Sequence, residues 1–129
     1  MKLGFSISLD DVGYGVVIPH YGTIVVGAGN RIGNYAVFHT STCITQGKKV
    51  IGNGFYLSTG AKVIRDVNIG DNVSVGANSL VNSDFANNCM IAGNPAHKIK
   101  DSNAWYIRDG EEYSRRVNEC EKLKKQYNL

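Results

Sequence analysis

Three histidines are the side chains of this sequence best suited to transfer protons near neutral pH. They are His20, His39 and His97, and an unperturbed imidazole changes charge at a pH of about 6.5. His20 stands in VVIPHYGTIVVG, residues 16 to 27, between two apolar runs that each predict a strand. A neutral imidazole there could accept the proton of a hydroxyl group while that hydroxyl attacks a carbonyl carbon. The segment therefore places an imidazole that could act as a general base, His20, at the end of a strand.

The cysteines and the N-terminus indicate a cytoplasmic location. Cys43, Cys89 and Cys120 are an odd number without a C-x-x-C pair, so neither a disulfide framework nor a zinc knuckle fits them. Free thiols are typical of a reducing cytoplasm. The opening residues MKLGFSISLDD lack the apolar stretch of a signal peptide, and no run of 18 apolar residues exists. We expect a cytoplasmic protein without a membrane span.

The positive charge is concentrated near the C-terminus. The net charge is +3, and residues 115 to 125 contain five basic residues. A nucleic-acid-binding protein would place its basic residues along a groove. The charge distribution instead indicates the solvated face of a helix.

The elements that must position the histidines follow a period of six. From Ile51 the step of six gives only aliphatic residues, and it continues upstream. The full set is Ile18, Ile24, Ile32, Phe38, Ile44, Ile51, Leu57, Val63, Ile69, Val75 and Val81. Small or β-branched residues recur four places later, and glycines that follow the aliphatic residue, such as Gly33 and Gly52, are expected to supply backbone freedom at corners. Three hexads make one triangular turn, so residues about 18 apart stack at roughly 4.8 Å. This period does not fit a β-sandwich.

Two irregularities interrupt the period and predict loops beside a binding face. Ile24 and Ile32 are eight residues apart, which places two extra residues at GAGN. Ile44 and Ile51 are seven apart, which places one extra residue near TQGKK.

Stacking the hexads predicts which side chains lie above one another. Two columns contain polar or small residues: His20, Thr40, Thr59, Ala77, and beside it Pro19, His39, Ser58, Gly76. The side chains of the first column become smaller with distance from His20, and the column spans three strand spacings, roughly 14 Å. A groove of this form suits a long, thin ligand. Asp10 and Asp11 either orient His20 from the preceding turn or cap a corner.

The period stops after Pro95, and a helical pattern follows. Tyr113, Val117, Cys120, Leu123 and Tyr127 recur at helical spacing, which predicts an amphipathic helix over about 110–127. We expect its apolar stripe to pack on the solenoid or on a neighbouring subunit. Trp105 and Tyr106 are predicted to cover the open end of the solenoid. The domain boundary is expected near residue 100, between a β-helix domain (1–100) and a C-terminal connection and helix (101–129).

These motifs resemble the hexapeptide-repeat acyltransferases, which are left-handed parallel β-helices. The resemblance implies an all-β fold of about four to five coils with a short C-terminal α-helix, and a homotrimer. IPHYGTIVVG is similar to the active-site segment of serine acetyltransferases and of relatives that O-acetylate surface polysaccharides, in which His20 would be the general base. The resemblance further implies acetyl-coenzyme A (acetyl-CoA) as the acyl donor, with direct transfer and no acyl-enzyme.

GFYLSTGAKVI and NIGDNVSVGANSLV are similar to the segments of this family that bind coenzyme A (CoA), and IAGNPAHKIK is similar to the last coil, which lies near the nucleotide. The matching positions are Thr59, Gly60, Gly76, Ala77 and Lys98.

Two departures favour the polysaccharide-modifying branch of the family. Serine acetyltransferases carry Asp before the catalytic histidine, where this chain has Pro19, and a second active-site histidine where it has Lys48. In the polysaccharide-modifying branch a second histidine corresponds to His39. The expected acceptor is therefore a sugar hydroxyl, with serine as the alternative. A non-catalytic scaffold or binding subunit is an alternative of another class. No metal is expected, because γ-class carbonic anhydrases of this fold place two histidine ligands five residues apart, whereas the histidine spacings here are 19 and 58.

Overall fold

A computed structural model describes residues 5–7 and 9–128 of the chain. Most of the elements are very short strands. They are β1 (Phe5–Ile7), β2 (Ile24–Val26), β3 (Arg31–Ile32), β4 (Val37–Phe38), β5 (Thr42–Ile44), β6 (Val50–Ile51), β7 (Tyr56–Leu57), β8 (Lys62–Val63), β9 (Asn68–Ile69), β10 (Val73–Val75), β11 (Leu80–Val81), β12 (Cys89–Gly93) and β13 (Ala96–Asp101). A 3-10 turn (Leu9–Asp11) lies near the start, and the helices α1 (Trp105–Arg108) and α2 (Glu111–Gln126) follow the last strand.

The strands form three sheets that are wound by one chain. Their orders are β1-β2-β5-β8-β11, β3-β6-β9 and β13-β12-β10-β7-β4. Every pairing is parallel except that of β12 with β13, which is an antiparallel hairpin. Bridges at Val12, Val17 and Phe85 complete the first and last coils. The chain is thus a parallel β-helix of five coils, and the predicted four to five coils and C-terminal helix are confirmed.

The core is the stack of inward aliphatic residues that the period of six predicts. Phe38, Leu57, Val75 and Ile91 pair one below another and are all completely or almost completely buried. Each inward residue meets its equivalents at the strand spacing of about 4.8 Å, so the core is a continuous apolar column. The outward neighbours along each strand remain free to form a surface.

One predicted insertion is misplaced. Ile24 pairs with Thr42, and Val26 pairs with Ile44, so Val26 is the inward residue that belongs to the stack. From Val26 to Ile32 is six residues, and GAGN contains no insertion. The two extra residues lie instead between Ile18 and Ile24, in the corner that carries His20. The step of six failed here because Ile24 is also buried, in the position that smaller residues occupy in later coils.

The second insertion is confirmed. Val26 pairs with Ile44, and Ile32 pairs with Ile51. The segment from Val26 to Ile32 advances six residues, whereas the equivalent segment one coil below, from Ile44 to Ile51, advances seven. The extra residue lies in TQGKK, as predicted.

A ladder of side-chain amides and carboxylates runs down one corner of the solenoid. Asn34, Asn53, Asp71 and Asn87 form this corner ladder: each offers its Oδ1 to a backbone N–H one coil above, at 2.7–3.0 Å. Gly52 precedes Asn53, and a Cβ on it would lie 2.3 Å from Asp71 Oδ1 and 2.8 Å from backbone atoms. This glycine is required by close approach of the coils rather than by the backbone freedom that we expected.

The C-terminal segment packs against a side face of the solenoid. Trp105 Nε1 donates to the carbonyl of Tyr35 at 2.8 Å, and its ring centroid lies 6.3 Å from that of Tyr56. The prediction that Trp105 and Tyr106 cover the open end is therefore wrong. The reason is that Tyr35 and Tyr56, on successive coils, offer an aromatic surface on the side.

Helix α2 continues along the same side, as its amphipathic pattern predicts. Val117 is buried, and Glu121 accepts hydrogen bonds of 2.8 Å from the hydroxyls of Tyr14 and Tyr35. The last part of the stripe stays open, with Leu123 52% and Tyr127 64% exposed. Across the described part of the chain, no helix is long and apolar enough to span a membrane.

Candidate active site

His20 lies in the enlarged corner that links the first coil to β2. Both His20 and Tyr21 are exposed, because the two extra residues push this corner outward. The predicted stacking of His20 on Thr40 is wrong. Gly22 takes that place, and a Cβ on it would come within 2.6 Å of Thr40 Cγ2. The imidazole is thus carried on a protruding corner rather than inside a column.

His39 lies close to this corner and is held by a tyrosine. It follows β4, is half-buried, and its Nε2 is 2.8 Å from the hydroxyl of Tyr56 on β7. The two rings meet edge to face, with centroids 5.1 Å apart. The hydrogen bond and the ring contact together fix the orientation of the imidazole.

Burial and the second histidine both favour the neutral form of His39. Burial lowers the pKa of His39 below its usual value of 6.5, and the nearby His20 lowers it further, while Asp109 acts in the opposite direction. Burial likewise raises the pKa of Tyr56, with Asp109 adding to the effect. At neutral pH the pair therefore consists of an uncharged imidazole and an uncharged phenol.

A small open cavity adjoins His39. Its volume is about 170 Å³, and it is bounded on the solenoid side by Pro19, His39 and Tyr56. The opposite wall comes from the C-terminal segment through Trp105, Asp109 and Tyr113. Pro19, which directly precedes His20, brings the cavity to the start of the enlarged corner, and of the two histidines His39 lines it.

Asp109 is held in place by its neighbour. Its carboxylate receives hydrogen bonds from the Arg108 guanidinium at 2.8 and 3.4 Å. Arg108 also donates to Ser74 at 3.0 Å and lies 4.7 Å from the centroid of the Tyr56 ring. The connection between α1 and α2 is therefore tied to two coils of the solenoid.

Below the histidines the structure aligns the small residues as predicted. Thr40, Thr59 and Ala77 follow one another through the register of β5, β8 and β11. Thr59 and Ala77 are exposed, and the hydroxyls of Thr40 and Thr59 are 3.1 Å apart. Gly60 adopts a positive φ of 75°, and a Cβ there would lie 2.0 Å from Asn78 Oδ1. The side chains at this level are small, and the side chain of Asn78 occupies the space beside Gly60.

The parallel column beside it starts at His39. Backbone hydrogen bonds run from His39 to Leu57, from Ser58 to Val75 and from Gly76 to Ile91, each from the N–H to the carbonyl of the next coil. Gly76 thus lies two coils below His39, roughly 10 Å away. Ile91, whose carbonyl accepts the last of these hydrogen bonds, pairs with Lys98 on β13, and Lys98 forms a 2.6 Å salt bridge with Asp101. Thr59, Gly76 and Ala77, with Gly60 beside Thr59, therefore lie in two adjacent columns between the level of His39 and the strand of Lys98, and His20 lies outside both columns.

The remaining candidates have structural partners. Asp11 accepts a 2.9 Å hydrogen bond from the Gly29 backbone, which is the corner-capping alternative. Lys48 is exposed, and its N–H donates to Asp66. Its neighbour Lys49 is buried, with Nζ 2.7 Å from the carbonyl of Thr45. Within residues 5–7 and 9–128, no three His, Cys, Asp or Glu side chains are grouped as metal ligands.

Known proteins with the same coil arrangement are serine acetyltransferases. The chain is 30% identical over 95 residues to the serine acetyltransferase of Synechococcus elongatus, covering 68% of the chain and 39% of that protein. The crystal structure of the Neisseria gonorrhoeae serine acetyltransferase matches with a TM-score of 0.64 and 26% identity, over 78% of this chain and 39% of that one. A solved serine acetyltransferase in complex with CoA shares the fold at a TM-score of 0.59 and 22% identity, over 74% of this chain and 40% of that one.

The chain is therefore similar to the serine acetyltransferases both in sequence and in the arrangement of its coils. Its β-helix has the left-handed form of those structures. No family model matches the chain. The chain spans 39% of the length of the Synechococcus and Neisseria proteins.

Sequence reasoning missed one residue of the solenoid and two residues of the C-terminal segment. Tyr56, Asp109 and Tyr113 all contact or face the space beside His39. One signal was available for Tyr56, because it stands one coil below Val37, beside His39. No spacing rule links Asp109 to the histidines, since its position depends on how α1 docks.

Proposed function

We propose that this chain is an acetyl-CoA-dependent O-acetyltransferase with His20 as the general base. One observation carries the proposal: two neighbouring histidines lie at one end of a strip of small residues, on a fold shared with serine acetyltransferases. The relatives' names supply the reaction class.

The reaction needs a base and a bound thioester. The acceptor hydroxyl would lose its proton to neutral His20 as its oxygen attacks the acetyl carbonyl carbon. Collapse of the tetrahedral intermediate breaks the carbon–sulfur bond, and the proton passes from His20 to the leaving thiolate. No acyl-enzyme forms, so no nucleophilic cysteine or serine is required.

His39 serves this step as an uncharged neighbour. Burial favours the neutral form of His39, so His39 adds no positive charge to the site. Tyr56 fixes the ring, so His39 can contact the acceptor in a defined orientation. We assign His39 a second active-site role on this basis.

The donor would lie along the strip below the histidines. Its pantetheine arm would pass Thr59 and Gly60 and reach Gly76 and Ala77, where Thr59 and Ala77 present small exposed side chains. Lys98 would meet the nucleotide end and exchange its salt bridge with Asp101 for a phosphate contact.

Serine is the acceptor that the relatives favour, over the sugar hydroxyl that the sequence motifs predicted. The sugar remains a second candidate because of two residues. Pro19 cannot act as the carboxylate that precedes the histidine in serine acetyltransferases, and Lys48 is an exposed lysine where they have a second histidine.

Thiol release from acetyl-CoA tests the proposal. Wild type, His20→Ala and the control His97→Ala, an exposed histidine on β13, would be assayed with serine, free sugars and nucleotide-sugars. We expect turnover of serine that His20→Ala abolishes and His97→Ala retains. Activity surviving in His20→Ala refutes the role of His20. CoA binding without turnover of any acceptor would favour the scaffold alternative.

We also propose a homotrimer in the cytoplasm. The apolar stripe of α2 is exposed at its C-terminal part, at Leu123 and Tyr127, and the solenoid has flat faces. A second copy of the chain can cover this apolar surface. The three cysteines are free thiols, which suits a reducing compartment. Light scattering should give three times the chain mass of 14.0 kDa; a mass of one chain would contradict the trimer.

A further inference from the structure

The cavity beside His39 carries one fixed negative charge that the proposed reaction does not use. Asp109 lines this cavity, and its side chain is 33% exposed. Its charge reaches His39, whose pKa it raises against the effect of burial. The carboxylate is therefore close to the reaction space without contacting either histidine through a hydrogen bond found among the described residues.

Arg108 orients this carboxylate and leaves it able to bind a ligand. The guanidinium donates to both carboxylate oxygens, yet each oxygen retains a further lone pair. Arg108 is itself anchored by Ser74 and by the Tyr56 ring, and it does not line the cavity. A ligand entering the cavity thus meets the carboxylate of the pair.

The rest of the cavity wall is aromatic. Trp105, Tyr113 and Tyr56 surround the carboxylate, and aromatic faces attract cations. A volume of about 170 Å³ holds roughly five to six waters, which suits a small hydroxylated molecule better than a sugar joined to a nucleotide. Carboxylate and aromatic rings together select for positive charge.

We propose that Asp109 binds an ammonium group on the acceptor, so that the site takes a small hydroxyl compound carrying an amine. The inference rests on the proposed acetyl transfer and narrows its acceptor. In this arrangement Asp109 would hold the ammonium group, and His20 on the neighbouring corner would accept the proton of the hydroxyl. Asp109 determines specificity, and His20 remains the base.

The single tryptophan allows a test that does not depend on turnover. Trp105 is the only tryptophan of the chain and borders the cavity, so its fluorescence should report a bound ligand. The probes are L-serine and ethanolamine, which carry the ammonium, and glycolate and glycerol, which lack it. We expect the first two to bind at least tenfold more tightly than the last two. Equal binding of glycerol or glycolate, or no fluorescence change with any probe, would overturn the inference.

Variants then assign the selectivity to Asp109. Asp109→Asn keeps the size of the side chain and removes its charge, while Glu119→Gln removes an exposed carboxylate of α2 outside this cavity. We expect Asp109→Asn to weaken serine and ethanolamine at least tenfold and Glu119→Gln to leave both unchanged. An unchanged affinity in Asp109→Asn refutes the assignment, provided that its thermal unfolding matches wild type. Where the folded variant has lost stability, Asp109→Glu must restore ammonium binding, or the assignment fails.

The two proposals fail in different ways. If serine perturbs Trp105 but no thiol is released from acetyl-CoA, the acetyltransferase proposal fails and the ammonium site stands. If serine is acetylated equally well by wild type and Asp109→Asn, the reaction stands and the ammonium site fails.

Discussion

The hydrogen bond between Tyr56 and His39 can be removed without disturbing what surrounds it. Tyr56→Phe deletes the hydroxyl that lies 2.8 Å from Nε2 of His39. The phenyl ring keeps its contacts with His39 at 5.1 Å, with Trp105 at 6.3 Å and with Arg108 at 4.7 Å. The loss is therefore confined to one hydrogen bond between half-buried neutral groups, worth about 0.5–1.5 kcal/mol.

This energy sets the expected effects on stability and on rate. The free energy of unfolding should fall by about 0.5–1.5 kcal/mol. If the bond orients His39 for acetyl transfer, kcat/KM should fall about twofold to tenfold, because 1.4 kcal/mol corresponds to a factor of ten. Trp105 and Arg108 should remain in place, so the cavity keeps its shape.

A double-mutant cycle with His39→Leu isolates the pair. Urea unfolding of wild type, both single variants and the double variant should give an interaction energy of about 0.5–1.5 kcal/mol between Tyr56 and His39. Thiol release gives the corresponding kinetic cycle. An interaction energy near zero together with an unchanged kcat/KM in Tyr56→Phe would show that the hydrogen bond neither stabilises the fold nor orients His39 for the reaction.

Two further predictions concern buried ionisable groups. The pKa of His39 is lowered on folding, mainly by burial, so the unfolded chain binds its proton first as the pH falls below about 6.5 and stability is lost there. Acidification from about pH 7.5 to 5.5 should cost wild type more unfolding free energy than His39→Asn; equal losses in urea melts would contradict this. Burial also lowers the pKa of Lys49, so its contribution to stability should increase as the pH rises toward its unfolded value of about 10.4. Lys49→Met should abolish that slope and leave stability at neutral pH unchanged or higher, because the Thr45 carbonyl still accepts from Asn30 at 2.9 Å; a marked loss in thermal melts would refute it.

The solenoid was predictable because every coil buries the same kinds of side chain at the same positions. An inward aliphatic residue every six positions is a local rule, and the register of β4, β7 and β10 follows from it directly. The rule failed at Ile24, where two neighbouring inward positions are both apolar and the period cannot distinguish them. That single ambiguity moved the predicted insertion away from His20, the proposed general base.

The cavity wall could not be predicted for a different reason. Asp109 and Trp105 reach His39 through the docking of α1 and α2, which depends on non-repeating contacts such as the hydrogen bond from Trp105 to Tyr35. An amphipathic stripe predicts that a helix is buried on one side but not which surface it meets. Thr59 and Ala77 lie inside the repeat, so their alignment could be predicted and that of Asp109 could not.

The regular stacking of the coils fixes the distances between residues along the axis of the solenoid. The separation between the level of His39 and the strand of Lys98 is a whole number of coils, each about 4.8 Å. Single substitutions cannot stretch it, because every coil is bonded to the next through the corner ladder. In the proposed reaction, the length of donor that fits between the levels of His39 and Lys98 would therefore change only by gaining or losing an entire turn of about 18 residues. Substitutions could then change the acceptor side one residue at a time, whereas the donor side would change in whole turns.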